Sequence, residues 1–255
     1  MLHSTKRIEC CNASYWDKQA ERYNESIARM NNLTRTQLNR LPLLPQYTVL
    51  DVGAGTGRIT ISMAKCVKYV TALEPSEKML SILKVTAEKE GVSNIQCINK
   101  SLEDFDMGAG VVSFDAVVAS FSLFMVDMEN ALIKMDNLAR KSVHLFLSAS
   151  QWMDKDLQKL AYDGEIPVCS DYIYVYNILN DSGIQANVEI WDVISSESFS
   201  SLEDAAQKYA SSYRIPFNKT SELKKYLRRN LTVDNEKLVS NSKRKIAMIW
   251  WTKTQ

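Results

Sequence analysis

Three of the chain's eight glycines, Gly53, Gly55 and Gly57, fall within five consecutive residues, directly after an apolar run from Tyr47 to Val52. Glycine weakens helices and strands alike, so such a cluster marks backbone that must turn sharply or lie close to another group. The run before it reads as a buried strand. The residues after it, RITISMAKC, place Ile59, Met63 and Cys66 on one side of a helix. A strand, a glycine turn and a helix in that order bring backbone N–H groups and the positive end of a helix dipole to the carboxyl edge of a sheet. Open α/β sheets bind ligands at that edge.

The same alternation continues along the chain. Strands are expected at Tyr69 to Leu73, Ile95 to Asn99, Phe114 to Ser120 and Ser142 to Ser148, with helices at Ser76 to Glu90 and Asp127 to Arg140 and a turn at Ser101 to Phe105. Five short apolar runs separated by helices predict a parallel sheet covered on both faces. Before the first strand, Ser14 to Met30 reads as an amphipathic helix, and a second helical piece near Leu33 to Leu41 is stopped by Pro42 and Pro45. Beyond Ser150 the rhythm changes. Asp171 to Asn180 alternates like a strand, but the capping candidates Ser170 and Asp171 and the NDSG ending favour a helix. Ile184 to Ile194 and Lys245 to Thr252 read as strands, Ser201 to Ser212 and Ser221 to Arg229 as helices. The expected organisation is one domain over 1–255: a helical cap in 1–45, a ligand-binding core in 46–150, and lid elements plus two further strands in 151–255.

Composition removes several classes of function. With 31 Lys plus Arg against 30 Asp plus Glu, the net charge of +1 lacks the cationic excess of a dedicated nucleic-acid binder. Two histidines, His3 and His144, exclude a multi-histidine metal centre by counting, and no metal is expected. Five cysteines, an odd number without a CxxC pair, point to reduced thiols. The opening MLHSTKRIECCNAS holds no apolar stretch of the length a secretory leader needs, and no apolar run reaches the ~18 residues of a membrane span, so a cytoplasmic location is expected.

Two cofactor classes use a glycine crevice of this kind. A dinucleotide fingerprint would read GxGxxG, but here the third glycine comes one residue early and Arg58 stands in its place. Glu74, which ends the second strand, suits a diol, since its two oxygens accept from both ribose hydroxyls. The chain resembles class I S-adenosylmethionine-dependent methyltransferases, in particular the small-molecule members. VLDVGAGTGRIT (49–60) is similar to the family's first motif, VTALEPSEKML (70–80) to the second, and NKSLEDF (99–105) to its adenine-contact turn. FDAVVASFSL (114–123) is similar to the fourth strand and the loop facing the methyl group, and YWDKQAERY (15–23) to an N-terminal helix that closes over the cofactor. The resemblance implies a seven-stranded, mostly parallel sheet with helices on both faces, the last strand antiparallel, and helical lid insertions near 151–183 and 195–242. It implies S-adenosylmethionine as cofactor, with S-adenosylhomocysteine as product. The implied cofactor contacts are Tyr15, Asp51, Gly53, Ala54, Gly55, Thr56, Gly57, Glu74, Pro75, Met79, Ser101, Leu102, Glu103, Ala119 and Ser120. Tyr23, Phe121, Phe124, Tyr172 and Tyr176 are candidates for the substrate side.

Each of these residues has a structural reading beside the functional one. Arg58 reads as a surface helix residue and His144, alternating with Val143, Leu145 and Leu147, as a satisfied core histidine. The tyrosines of 172–176 suit aromatic core packing as well as a pocket wall. Methyl transfer from a sulfonium is an in-line displacement that positioning and water exclusion largely supply. A general base is needed only for acceptors that arrive protonated, and no residue declares itself as one. After the fourth strand, Ala119, Ser120, Phe121 and Ser122 stand where base-amine methylators carry an Asn/Asp-Pro-Pro-aromatic run. The apolar loop of Phe121, Leu123, Phe124 and Met125 suits a small acceptor. Three other readings stay open: an RNA methyltransferase using KKYLRR (224–229) or KRK (243–245), a metalloid or thiol methyltransferase using Cys10, Cys11 or Cys169, and a cofactor-binding module without turnover. An NAD-dependent oxidoreductase is disfavoured by the glycine spacing.

Overall fold

A computed structural model describes residues 12–27, 30–106, 113–151, 153–162, 171–213 and 215–253. Two N-terminal helices, α1 (Ala13–Ile27) and α2 (Asn31–Leu38), precede β1 (Thr48–Val52), α3 (Thr60–Ala64), β2 (Tyr69–Leu73), α4 (Glu77–Lys89), β3 (Ile95–Ile98) and β4 (Phe114–Ser120). Then come α5 (Met128–Leu138), β5 (Ala139–Ser148), α6 (Lys155–Tyr162), α7 (Tyr172–Asp181) and β6 (Asn187–Phe199). The chain closes with α8 (Leu202–Tyr213), a 3-10 turn (Phe217–Lys219), α9 (Thr220–Asn230), β7 (Thr232–Asp234) and β8 (Lys237–Thr252).

The sheet runs β3-β2-β1-β4-β5-β8-β6, and β7 adds an eighth strand paired to β8. β1, β2, β3, β4 and β5 are parallel, and β8 is antiparallel to β5. Parallel strands need crossovers, and burial on both faces explains why β1 and β4 are mainly apolar, each with a single buried aspartate, Asp51 and Asp115. Alternate residues of each strand feed two different cores. Leu50, Val52, Val117, Ala119, Val143 and Leu145 face α5 and α7 through Leu132, Met135, Val175 and Leu179. Val49, Val70, Ala116, Val118 and Phe146 face the other way, onto Leu41, Ile59 and Met63. Asp127 and the capping candidate Asp171 each accept from a backbone N–H of the first turn they precede, and so does Ser76, a cap the sequence reading missed.

The chain divides into two compact units. One comprises Met1–Ala149, Val168–Trp191 and Ile246–Gln255; the other comprises Ser150–Pro167 and Asp192–Lys245. The second unit has its own core, in which Phe199, Ala205, Leu223 and Leu227 are fully buried and Tyr209 stacks near Tyr213 and Tyr226. Neither α6 nor β7 was expected from the residue pattern, and β8 begins eight residues before the expected Lys245. The turn between β7 and β8 explains the oversight. Asn235 and Glu236 carry φ of 46° and 64°, the geometry of a type I′ hairpin, yet no glycine advertises it. Cys10, Cys11 and Cys169 lie outside the described residues.

Candidate active site

The site is built where β1, β2 and β4 end together. Val52 of β1 stands opposite Leu73 of β2 and Ala119 of β4, so the next residues of all three strands meet at one edge. The glycine loop does not hold its amides out toward solvent as the sequence suggested. Gly53 and Ala54 both donate to the Leu73 carbonyl, at 2.8 and 3.0 Å, and Gly57 donates to Ala54 at 3.1 Å. The glycines serve backbone geometry instead. At Gly53, with φ 71°, a Cβ would come within 2.4 Å of the Ser122 Cβ. Gly55, with φ 56°, turns its N–H onto Glu74 Oε2 at 2.9 Å.

Glu74 is 4% exposed, and its other oxygen, Oε1, accepts from the Ser76 N–H at 2.9 Å. Burial raises its pKa, opposed by those two amides. A carboxylate offers about four lone-pair directions, so two remain for a ligand after both amides are served. The two donors also fix the plane of the group. Asn99 reinforces the corner by donating to the carbonyls of Glu74 and Pro75, and was not foreseen.

Asp51 is buried at the end of β1 and takes one hydrogen bond, from Thr60 Oγ1 to Oδ2 at 2.5 Å. Its Oδ1 has no partner, and burial pushes its carboxyl up to about 6. The Thr56 hydroxyl is a second buried polar atom without a partner. Unsatisfied buried groups are costly, and two in one loop fit a site made for a polar ligand.

Two helices cover this edge. From α1, Asp17 accepts from the Ser76 hydroxyl at 2.6 Å and the Lys78 N–H at 3.2 Å, which lowers its pKa and seats α1 on the start of α4. That places the Tyr23 ring 3.6 Å and Met79 Sδ 3.7 Å from where a Cβ on Gly55 would stand. Burial raises the Tyr23 pKa, so its hydroxyl stays protonated at neutral pH. Tyr15 stands edge-on to Trp16, and Trp16 reaches both Tyr23 and Phe124, its ring 5.6 Å from that of Phe124. From α2, Thr34 and the fully buried Gln37 enter a network that the sequence reading missed; the available signal was two polar residues on the buried side of a short helix. Arg58 is the centre of that network and corrects the surface assignment. Its Nη1 donates to Thr34 Oγ1 and its Nη2 to Ser120 Oγ, both at 2.8 Å, and desolvation lowers its pKa.

At the end of β4, Ala119 is buried and Ser120 half-buried. Phe121 has φ 57°, a conformation that side chains rarely adopt, and is held by its N–H on the Phe146 carbonyl. Ser122 donates to the Val52 carbonyl. In the turn after β3, Ser101 caps Asp104, Leu102 is buried in the core, and Glu103 is exposed. Of the α7 tyrosines, Tyr172 packs against the core while Tyr176 is exposed. His144 lies in the core as the sequence suggested but is not fully satisfied, since its Nδ1 has no partner. It is 1% exposed, bonded through Nε2 to Ser142 Oγ at 2.9 Å, and pulled down to about 4 by burial. Among the described residues no group of three or more His, Cys, Asp or Glu is placed to hold a metal ion.

Residues 49–142, the span from β1 into β5, match the family model described as a methyltransferase domain. That stretch is less than half of the chain, and it spans the strand ends and the glycine loop of the site. The chain's fold is the class I methyltransferase fold, with a parallel sheet closed by an antiparallel strand. An uncharacterised Haemophilus influenzae protein is 28% identical over 244 residues, covering 92% of this chain and 88% of its own. The ubiquinone biosynthesis O-methyltransferase of Hahella chejuensis is 27% identical over 148 residues, 58% of this chain and 60% of that protein. Among solved structures, a DhpI–SAH complex superposes over 99% of this methyltransferase and 100% of its own chain, with TM-score 0.56 and 14% identity.

Proposed function

We propose that this methyltransferase moves a methyl group from S-adenosylmethionine to a small-molecule acceptor. The observation that carries the reading is Glu74, buried, oriented by the Gly55 and Ser76 amides, and left with two lone-pair directions at the mouth of the sheet. Glu74 takes the ribose diol. Met79, Pro75, Ser101, Leu102 and Glu103 surround the adenine. Asp51, Thr56 and the residues of the glycine loop take the amino-acid end, where the unpartnered Asp51 Oδ1 accepts from an ammonium. Tyr15, Tyr23, Ala119 and Ser120 border the sulfonium, whose methyl carbon is already bonded to a good leaving group. Phe121 and Phe124 sit on the acceptor side with Tyr23, and Tyr172 and Tyr176 are the outlying candidates.

What the chain itself contributes is placement: α1 excludes water over the loop, and the rigid turn at Phe121 fixes the approach. The near-neutral charge and the aromatic lining around Trp16 and Phe124 favour a small acceptor over a polyanion. The relative named for O-methylation in ubiquinone biosynthesis supports the same class. No helix among the described residues is long and apolar enough to cross a membrane, and we place the protein in the cytoplasm. Incubation with methyl-labelled S-adenosylmethionine and a small-metabolite panel, with bulk RNA in parallel, tests the reading. Label is expected in a low-mass product. Label in RNA alone, or binding of cofactor with no label transferred, would overturn the acceptor class.

A further inference from the structure

Ser120 Oγ accepts two hydrogen bonds, from Arg58 Nη2 at 2.8 Å and from Gln37 Nε2 at 3.0 Å. A hydroxyl has two lone pairs and one proton, so both lone pairs are filled and only the proton is left to give. Ser120 is half-buried, as is Arg58, whereas Gln37 is fully buried. Gln37 is 0% exposed, and its Oε1 has no partner, so its amide is committed to Ser120 while its own oxygen goes unsatisfied. Arg58 is a desolvated cation one hydrogen bond behind the hydroxyl. The next residue, Phe121, holds φ 57°, and Ser122 is tied to the Val52 carbonyl, so Ser120 stands on a fixed turn. A donor with a cation behind it selects an electron-rich oxygen.

We propose that Ser120 is the residue that positions the methyl acceptor, and that the acceptor atom is an oxygen bound as its anion. Arg58 and Gln37 act through Ser120 as positioning residues. The inference rests on the methyltransferase reading above and deepens it. The acceptor gives its proton to solvent as it binds, because the donor and the half-buried Arg58 cation favour its ionised form. The oxyanion lone pair then forms the O–CH3 bond while the C–S pair returns to sulfur, so one negative and one positive charge vanish together. On this account no protein base is required, which agrees with both oxygens of Glu74 being engaged by the amides of Gly55 and Ser76.

The test titrates the protein, saturated with S-adenosylhomocysteine, with 4-nitrophenol, whose ionised form is read by absorbance. Wild type is expected to bind it with a pKa lowered by about one unit or more. Ser120→Ala should return the pKa to the solution value and weaken 4-nitrophenol binding about tenfold, a clearly larger loss than it causes in S-adenosylhomocysteine affinity. Ser120→Thr, which restores the hydroxyl, should recover most of the effect and covers the case of a poorly folded alanine variant. If Ser120→Ala instead weakens S-adenosylhomocysteine tenfold, the oxygen recognised is the cofactor carboxylate and the proposal fails. It also fails if the cofactor-loaded wild type binds 4-nitrophenol no better than aniline and thiophenol, or without a pKa change. Failure of wild type to bind S-adenosylhomocysteine at all would contradict the methyltransferase reading itself.

Discussion

At the scale of single residues, Asp51 carries a cost in stability that fits the binding role proposed for it. Burial lifts its carboxyl to about 6 from an ordinary value of 3.8, so between those values the folded protein holds the proton more tightly than the unfolded chain. Its contribution to stability therefore declines as pH rises through that window, and by neutral pH the ionised group costs up to about 3 kcal/mol. Asp51→Asn is expected to stabilise the ligand-free protein by about 1–3 kcal/mol at pH 7 in urea unfolding, while weakening S-adenosylmethionine binding. The ligand ammonium needs the ionised form, so affinity in the wild type should fall roughly tenfold for each pH unit below 6. An affinity flat from pH 7 to 5 would remove Asp51 from the contact. Asp51 and Glu74 were legible in the sequence because their type and place, an acid at the end of a strand, follow from local pattern. Arg58, Gln37 and Asp17 were not, because their partners Ser120 and Ser76 lie far away in the chain.

At the scale of elements, β1, β2, β4 and most of β5 could be read from the chain because each is a mainly apolar run buried on both faces, while β3, at the sheet edge with Gln96 exposed, shows only as a short apolar stretch between turns. The second unit was harder. β6 and the first half of β8 are half-exposed, with Val188, Ile190 and Ile194 open to solvent, so their pattern is diluted by polar residues. The β7–β8 hairpin turns on Asn235 and Glu236, and a glutamate in the left-handed region is worth about 1–2 kcal/mol of strain. Glu236→Gly is expected to stabilise the hairpin by about 1 kcal/mol, seen as slower amide exchange at Val239. Unchanged exchange would mean that the turn is held by contacts beyond its own backbone.

At the scale of the molecule, a parallel sheet brings the ends of three strands that are distant in sequence to one edge, and this is what turns a glycine loop, a carboxylate and a serine into a site. The parts of the chain that follow the sheet pattern carry the proposed cofactor half; the proposed acceptor half depends on where α1, α2 and the loop after β4 meet, which no local pattern encodes. The central claim is that this edge binds an adenosyl cofactor through Glu74. Calorimetric titration with S-adenosylhomocysteine tests it most directly. One-to-one binding is expected for wild type, with Glu74→Ala weaker by at least tenfold, since a charge-assisted hydrogen bond contributes about 1.5–3 kcal/mol. Equal affinity in a folded Glu74→Ala variant, or binding of NAD in place of S-adenosylhomocysteine, would contradict it.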